Sequence, residues 1–363
     1  MKNSLKRWLL LLLTAPIPFT VFGVFTLKWH QKQTDFTKTT QHFIQRQNTV
    51  IASDAQTVAD KVSRLLMEAF WASKTLPLLR PHPAEWSRFF SIHTANTERW
   101  DLTNFTMRTV TTPLFSEISR WTFHGNETIR IRNGRSARLR NLYSCDIRNS
   151  CDIELLRSLL AAPDETFQIG HLIRWYTPEG MQDHNDGAAL WVGWRAPQGL
   201  FLVGLEYQHL KAILQTSIFP YDRRGDLLEG YHNGNYIYLV DSDHNIIAHP
   251  KYWHVMGFDR KTGKAVPWMQ TDSDDGRLPL NVARYRSGKL RPYFDHLLNT
   301  SFASKQVDIF SAINLKGTHR VLATAPILFE EGQFKKSGIF GFVITGCNID
   351  HYDDPKERSA PYY

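Results

Sequence analysis

From Gln31 to Leu76 the chain carries neither glycine nor proline. Apolar residues recur there at Phe43, Val50, Val58, Val62, Leu65, Leu66, Ala69 and Phe70, the later ones three, four or seven apart. That spacing draws one apolar stripe along a helix, which Pro77 ends. A helix of this length needs something along its whole apolar face. The choice lies between a coiled-coil stalk and the spine of a larger domain.

What precedes the helix bears on compartment. Lys2, Lys6 and Arg7 stand before an uncharged run from Trp8 to Leu27. As a helix that run is about 30 Å long, enough for the hydrocarbon core of a bilayer. It reads as an anchor over residues 8–27 or as a signal peptide. The basic flank puts residues 1–7 in the cytoplasm and everything after Lys28 outside. Pro16 and Pro18 would each kink a spanning helix. The apolar run Gly338–Ile349 is too short and too rich in β-branched residues to cross again.

At 363 residues and 42% hydrophobic content the chain can bury one large core or two ordinary ones, and two modules are expected. The formal charge of +8 would suit nucleic acid or anionic lipid, but no basic run with interleaved aromatics is present, so no nucleic-acid partner is expected. Cys145 and Cys151 are close enough for a local disulfide in an oxidising compartment, and no second pair completes a zinc site. Cys347 sits in an apolar strand as a small hydrophobe.

Asn235 to Pro250, NYIYLVDSDHNIIAHP, alternates β-branched and aromatic residues with a turn at Asp241–Asn245 and reads as a β-hairpin. This stretch resembles the strand–turn–strand of the membrane-proximal module of double Cache sensor domains, the extracytoplasmic PAS-like domains of bacterial receptors. The family usually has Gly where His244 stands, so Asn245 is expected to take the left-handed conformation instead. SRWTFHGNETIRIRNG, from Ser119, resembles the opening hairpin of the membrane-distal module. GTHRVLATAPI and GIFGFVITG resemble the last two strands of a Cache module. The resemblance implies an α+β fold, with the long helix running along two PAS-like antiparallel-sheet modules after one transmembrane helix. Its boundaries are residues 31–78 for the helix, 79–216 for the distal module, 217–234 for a connector and 235–350 for the proximal module. Residues 351–363 read as a disordered tail.

Within the distal module a helix is expected from Pro83 to Thr94. Strands are expected at 115–123, 128–131, 167–176, 188–196 and 200–207. On the 188–196 strand, Leu190, Val192 and Trp194 face one way, Trp191 and Arg195 the other. Aromatics beside an arginine suit a small, amphiphilic or anionic ligand, and equally suit packing on the helix. Arg130, Arg132, Arg135, Arg138 and Arg140 recur at mostly even spacing, either as a solvated edge or as a source of one bidentate carboxylate contact. The candidate ligand residues are therefore Arg130, Arg132, Arg174, Tyr176, Trp191, Trp194 and Arg195. Arg174-Trp175-Tyr176 lacks the spacer of the Arg-x-Trp-Tyr signature of amino-acid-binding members, so the resemblance implies no amino-acid ligand.

The proximal module is expected to continue with a helix near 282–299 and strands at 306–314, 318–327 and 337–345. Gly-x-Ser-x-Gly, phosphate-cradling loops and His-Glu-x-x-His are absent, and Asp272–Gly276 does not complete a calcium loop. The sequence thus reads as a sensor of the bacterial inner membrane and not as an enzyme, with no metal or cofactor. It would work through a separate membrane signalling partner, or as a homodimer through the long helix. A structural or assembly protein with the same fold and no ligand is the alternative.

Overall fold

The computed structural model describes residues 16–101, 106–145, 151–176, 188–218, 236–249, 258–259, 281–283, 291–313 and 319–348. The expected tail, most of the connector and residues 8–15 of the expected anchor lie outside them. The chain forms two compact units, Met1–Val50 and Ile51–Tyr363.

Helix α1, Pro16–Thr75, begins in the first unit. Residues before Pro16 lie outside the described residues. Among the described residues no helix is long and apolar enough to cross a membrane.

In the second unit, α1 buries Val58, Val62, Leu66, Ala69 and Phe70 of the expected stripe together with Ile51, Ala55 and Ala59, while Leu65 is half-buried and the Phe43 side chain lies outside the described residues. Ser53, Thr57, Asp60, Arg64 and Glu68 form its exposed polar stripe. A 3-10 turn at Leu76–Leu78, holding Pro77, ends the helix. Helix α2 (Pro83–Ile92) leads into a hairpin of β1 (Thr94–Asp101) and β2 (Thr106–Pro113).

The larger sheet has seven strands: β3 (Phe115–Trp121), β4 (Glu127–Arg132), β5 (Arg135–Ser136), β6 (Thr166–Tyr176), β7 (Ala188–Ala196), β8 (Gly199–Glu206) and β11 (Phe258–Asp259). Their order is β11-β6-β7-β8-β3-β4-β5, antiparallel except where β11 joins β6. Helix α3 (Ile153–Ala161) crosses this sheet and α4 (Tyr207–Ile218) follows it. The smaller sheet has five strands: β9 (Tyr236–Asp241), β10 (Ile246–Ala248), β12 (Asp308–Ile313), β13 (His319–Leu328) and β14 (Ile339–Asn348). Their order is β10-β9-β14-β13-β12. The fold is α+β, with antiparallel sheets and a long N-terminal helix. One apolar core joins α1 to both sheets, through residues such as Phe70, Phe167, Val192, Leu239 and Val343.

Two local expectations need correcting. Of the helix expected near 282–299, residues 284–290 lie outside the described residues; from Arg291 it runs as α5, Arg291–His296, through a π-helical turn Leu297–Ser301 into α6, Phe302–Ser304. Val282 instead gives its N–H to the His244 carbonyl at 2.8 Å, beside the bridge between Asn245 and Asn281. In the β9–β10 turn, His244 itself is left-handed (φ 67°), not Asn245. The Asp241 carboxylate accepts the N–H groups of Asp243 (2.9 Å) and Asn245 (2.8 Å), which fixes the residues on either side of His244. The His244 ring stacks on Phe302 (5.6 Å), and this packing offsets part of the cost of roughly 1 kcal/mol for a side chain in that conformation.

Candidate functional site

β7 divides its side chains as the alternation requires. Leu190 and Val192 enter the main core, and Trp194 packs against it beside Phe70 (ring centroids 6.3 Å) and under the Lys74 ammonium (5.0 Å). Ala189 and Trp191 enter a second apolar cluster on the other face, with Trp121, Leu155, Leu159 and Ile173. Helix α3 roofs this cluster. Asp152 starts it by accepting the Leu155 N–H at 3.0 Å, and Leu155, Leu156 and Leu159 then face the sheet. Gly193 lets α3 come close, since a Cβ there would overlap Leu159. The sequence signal for α3, an Asp followed by paired leucines at helical spacing, was readable and did not enter the expectations above.

The two tryptophans in this cluster differ. The Trp121 indole N–H donates to Ser119 Oγ at 3.0 Å. Trp191 is 1% exposed, and its Nε1 has no hydrogen-bond partner among the described residues. Burying such a donor unpaired costs about 1–3 kcal/mol.

The arginines are less available than a solvated row implies. Arg130 and Arg140 are buried with Glu117 and Glu127. Arg130 donates to Glu117 at 2.8 Å and to the Arg138 carbonyl at 3.0 Å. Arg140 donates to Glu127 at 2.7 Å and also to Glu117. Burial raises the Glu127 carboxyl above its ordinary value against the pull of Arg140. Burial lowers Arg140, but the carboxylates of Glu117 and Glu127 outweigh it and the net shift is upward. These four side chains lock β3 and β4 to the loop that returns past them. Arg135 and Arg138 are exposed, and Arg132 is half-buried.

Arg195 stays with the second cluster as a cap on its roof. It donates to the carbonyls of Leu159 (3.0 Å) and Leu160 (2.6 Å) at the α3 C-terminus, pairs with Asp164 at 3.0 Å and lies 4.6 Å over the Phe123 ring. Arg174 and Tyr176 belong to β6, and their side chains lie outside the described residues. Trp191 and Arg195 therefore belong to one side of the sheet and Trp194 to the other, while Arg130 is engaged in the ion cluster. Cys145 and Cys151 form a disulfide (Cα–Cα 5.5 Å), both buried at the margin of the second cluster.

One group here escaped sequence reasoning. The His171 N–H donates to Asp152 Oδ2 at 2.6 Å, and its Nδ1 lies 3.4 Å from the same oxygen. The hydrogen bond to Asp152 raises the His171 pKa to about 9 against partial burial, with Asp152, Glu154 and Asp241 adding charge attraction. Asp241 is pushed up to about 6 by burial, against the hydrogen bonds from Asn245 and Asp243.

A long helix along two antiparallel sheets matches the architecture implied by the Cache resemblance. The periplasmic sensory domain of the Campylobacter jejuni chemoreceptor Tlp1 aligns with a TM-score of 0.49 at 11% identity, covering 86% of this chain and 98% of that one. The ligand-binding domain of the Pseudomonas fluorescens chemoreceptor CtaA, in complex with L-leucine, aligns with a TM-score of 0.38 at 13% identity, over 84% and 95% of the two chains. That of the Pseudomonas aeruginosa amino acid chemoreceptor PctB, in complex with L-arginine, gives 0.40 at 13%, over 83% and 94%. No family model and no curated protein matches the sequence.

Proposed function

We propose that the chain is an extracytoplasmic sensor, anchored in the bacterial inner membrane, that takes a small molecule beneath α3 in the larger sheet and signals through a separate membrane partner. It is a binding protein and not an enzyme. The observation that carries this is the Trp191 indole N–H, buried without an acceptor in a cluster separate from the main core. A ligand oxygen would satisfy that donor, and the apolar walls favour a compact amphiphile. Trp121 and Leu155 supply such walls. The arginines already engaged by carboxylates or carbonyls argue for recognition by fit and one donor, not by a guanidinium clamp.

A second reading is favoured by the same residue's burial. Trp191 and Trp194 are packed on protein, as a structural or assembly protein with no ligand would have them. A thermal-shift screen of the purified chain against carboxylates, amines, purines and amino acids separates the two. The sensor requires at least one compound that raises Tm in the native chain and fails to do so in Trp191→Phe, which keeps a ring and loses the donor. A folded protein that responds to nothing in the screen favours the assembly reading.

A further inference from the structure

β6 is interrupted at Ile169–Leu172, where its register with β7 shifts. This short stretch is held from two directions by parts of the chain far apart in sequence. From the α3 side, Asp152 Oδ2 accepts the His171 N–H at 2.6 Å, and Gly170 lies so close that a Cβ would overlap Asp152 and press Leu155 at 2.9 Å. From the other side comes the turn between β13 and β14. The Gln333 amide accepts the Ile169 N–H (3.1 Å) and donates to the Ile169 carbonyl (3.1 Å), acting as a one-residue strand on an edge that, among the described residues, β11 covers at Trp175 and Tyr176. Gly332, left-handed at φ 56°, lies against the Phe167 carbonyl, where any Cβ would overlap. Behind the turn, Phe334 packs on Phe329 (6.0 Å) and Phe340 (5.6 Å), and the Gly338 N–H donates to the Phe334 carbonyl at 2.7 Å.

We propose that the β6 bulge and Gln333 form a coupling device, by which a change beneath α3 reaches the β13–β14 hairpin of the smaller sheet. For its biological purpose this rests on the sensor reading; as a mechanical link it does not. A bulge is the place where a strand yields with the least disturbance to its ladder. Displacing α3 pulls on Asp152, which moves Gly170 and His171. The adjacent Ile169 then carries Gln333 and the turn with it. Gln333 is itself exposed, so it contributes little to holding the fold and much to transmitting the displacement. The competing route is α1, whose Phe70 touches Phe167 (4.8 Å) and Phe329 (6.4 Å).

The test needs no ligand. Amide exchange of the full chain is measured by mass spectrometry over residues 319–328 and 339–348, with the second cluster perturbed by Leu159→Ala or, more gently, Trp191→Phe. In the native background at least one of these substitutions should speed exchange in the hairpin by about fivefold. In the Gln333→Ala background, and independently with Gly332→Ala, the same substitution should leave hairpin exchange at that background's own level. An increase that survives Gln333→Ala assigns the coupling to α1 and overturns the proposal. So does a hairpin that ignores both perturbations in the native background. Failure of the ligand screen would leave either result readable, since neither variant relies on a bound compound.

Discussion

Glu117→Ala removes the carboxylate that Arg130 meets at 2.8 Å and that Arg140 also grips, at a site where the Glu117 side chain is 2% exposed. Four buried charges that balance become three that do not: two guanidiniums facing Glu127 alone. Each hydrogen bond to a charged group is worth about 1.5–3 kcal/mol, and two are lost, so the expected cost is about 3–6 kcal/mol. That is a large fraction of the stability of an ordinary domain. Urea denaturation followed by far-UV circular dichroism reads it as a lower midpoint at unchanged slope. The control is Glu117→Leu with Arg130→Met, which removes one charge of each sign and keeps the volume. Arg140 then retains Glu127 at 2.7 Å, and the loss should fall to about 1 kcal/mol or vanish. If the double variant loses as much as Glu117→Ala, the effect comes from packing and the charge argument fails. A single variant within about 0.5 kcal/mol of the native chain fails it as well.

Phe70→Ala should cost about 3–5 kcal/mol in the same assay, since its ring meets Phe167 at 4.8 Å and Trp194 at 6.3 Å in the main core. Replacing Cys145 and Cys151 together by serine should cost about 2 kcal/mol, the entropy of a short loop, and reductant should reproduce the loss in the native chain alone. Both His171 and Asp241 hold their proton more tightly when folded. The stabilisation from charged His171 is complete below its unfolded pKa and is lost as pH rises through about 9. Ionising buried Asp241 costs stability as pH rises from its ordinary value through about 6. Midpoints against pH should therefore flatten between pH 4 and about 6 in Asp241→Asn, and from 6.5 to about 9 in His171→Gln; profiles parallel to native would contradict the assignments.

The parts legible in the sequence were those set by local periodicity. The α1 stripe, the end at Pro77, the β9–β10 hairpin and the two faces of β7 all follow from spacing that neighbouring residues enforce. Two elements were missed, one with a weak pattern and one that is short. The β1–β2 hairpin is rich in Thr with little apolar alternation, and α3 is only nine residues long. The buried ion cluster was illegible for a different reason. Glu117 meets Arg130 and Arg140 from thirteen and twenty-three positions away, so a row of arginines looks like a wet edge until the fold brings the carboxylates to it. The His244 turn shows the same limit in miniature. Local preference favours Asn in a left-handed position, but Asp241 engages the Asn245 N–H and Phe302 gives the imidazole a stacking partner.

Ser53, Thr57, Asp60, Arg64 and Glu68 on the outward side of α1 offer a second molecule no greasy seam to zip along. Two copies that met along this part of the helix would be held by hydroxyls and opposite charges, in a wet contact that brine loosens. Such a contact would form and dissolve quickly, as suits a transient encounter better than a permanent pair.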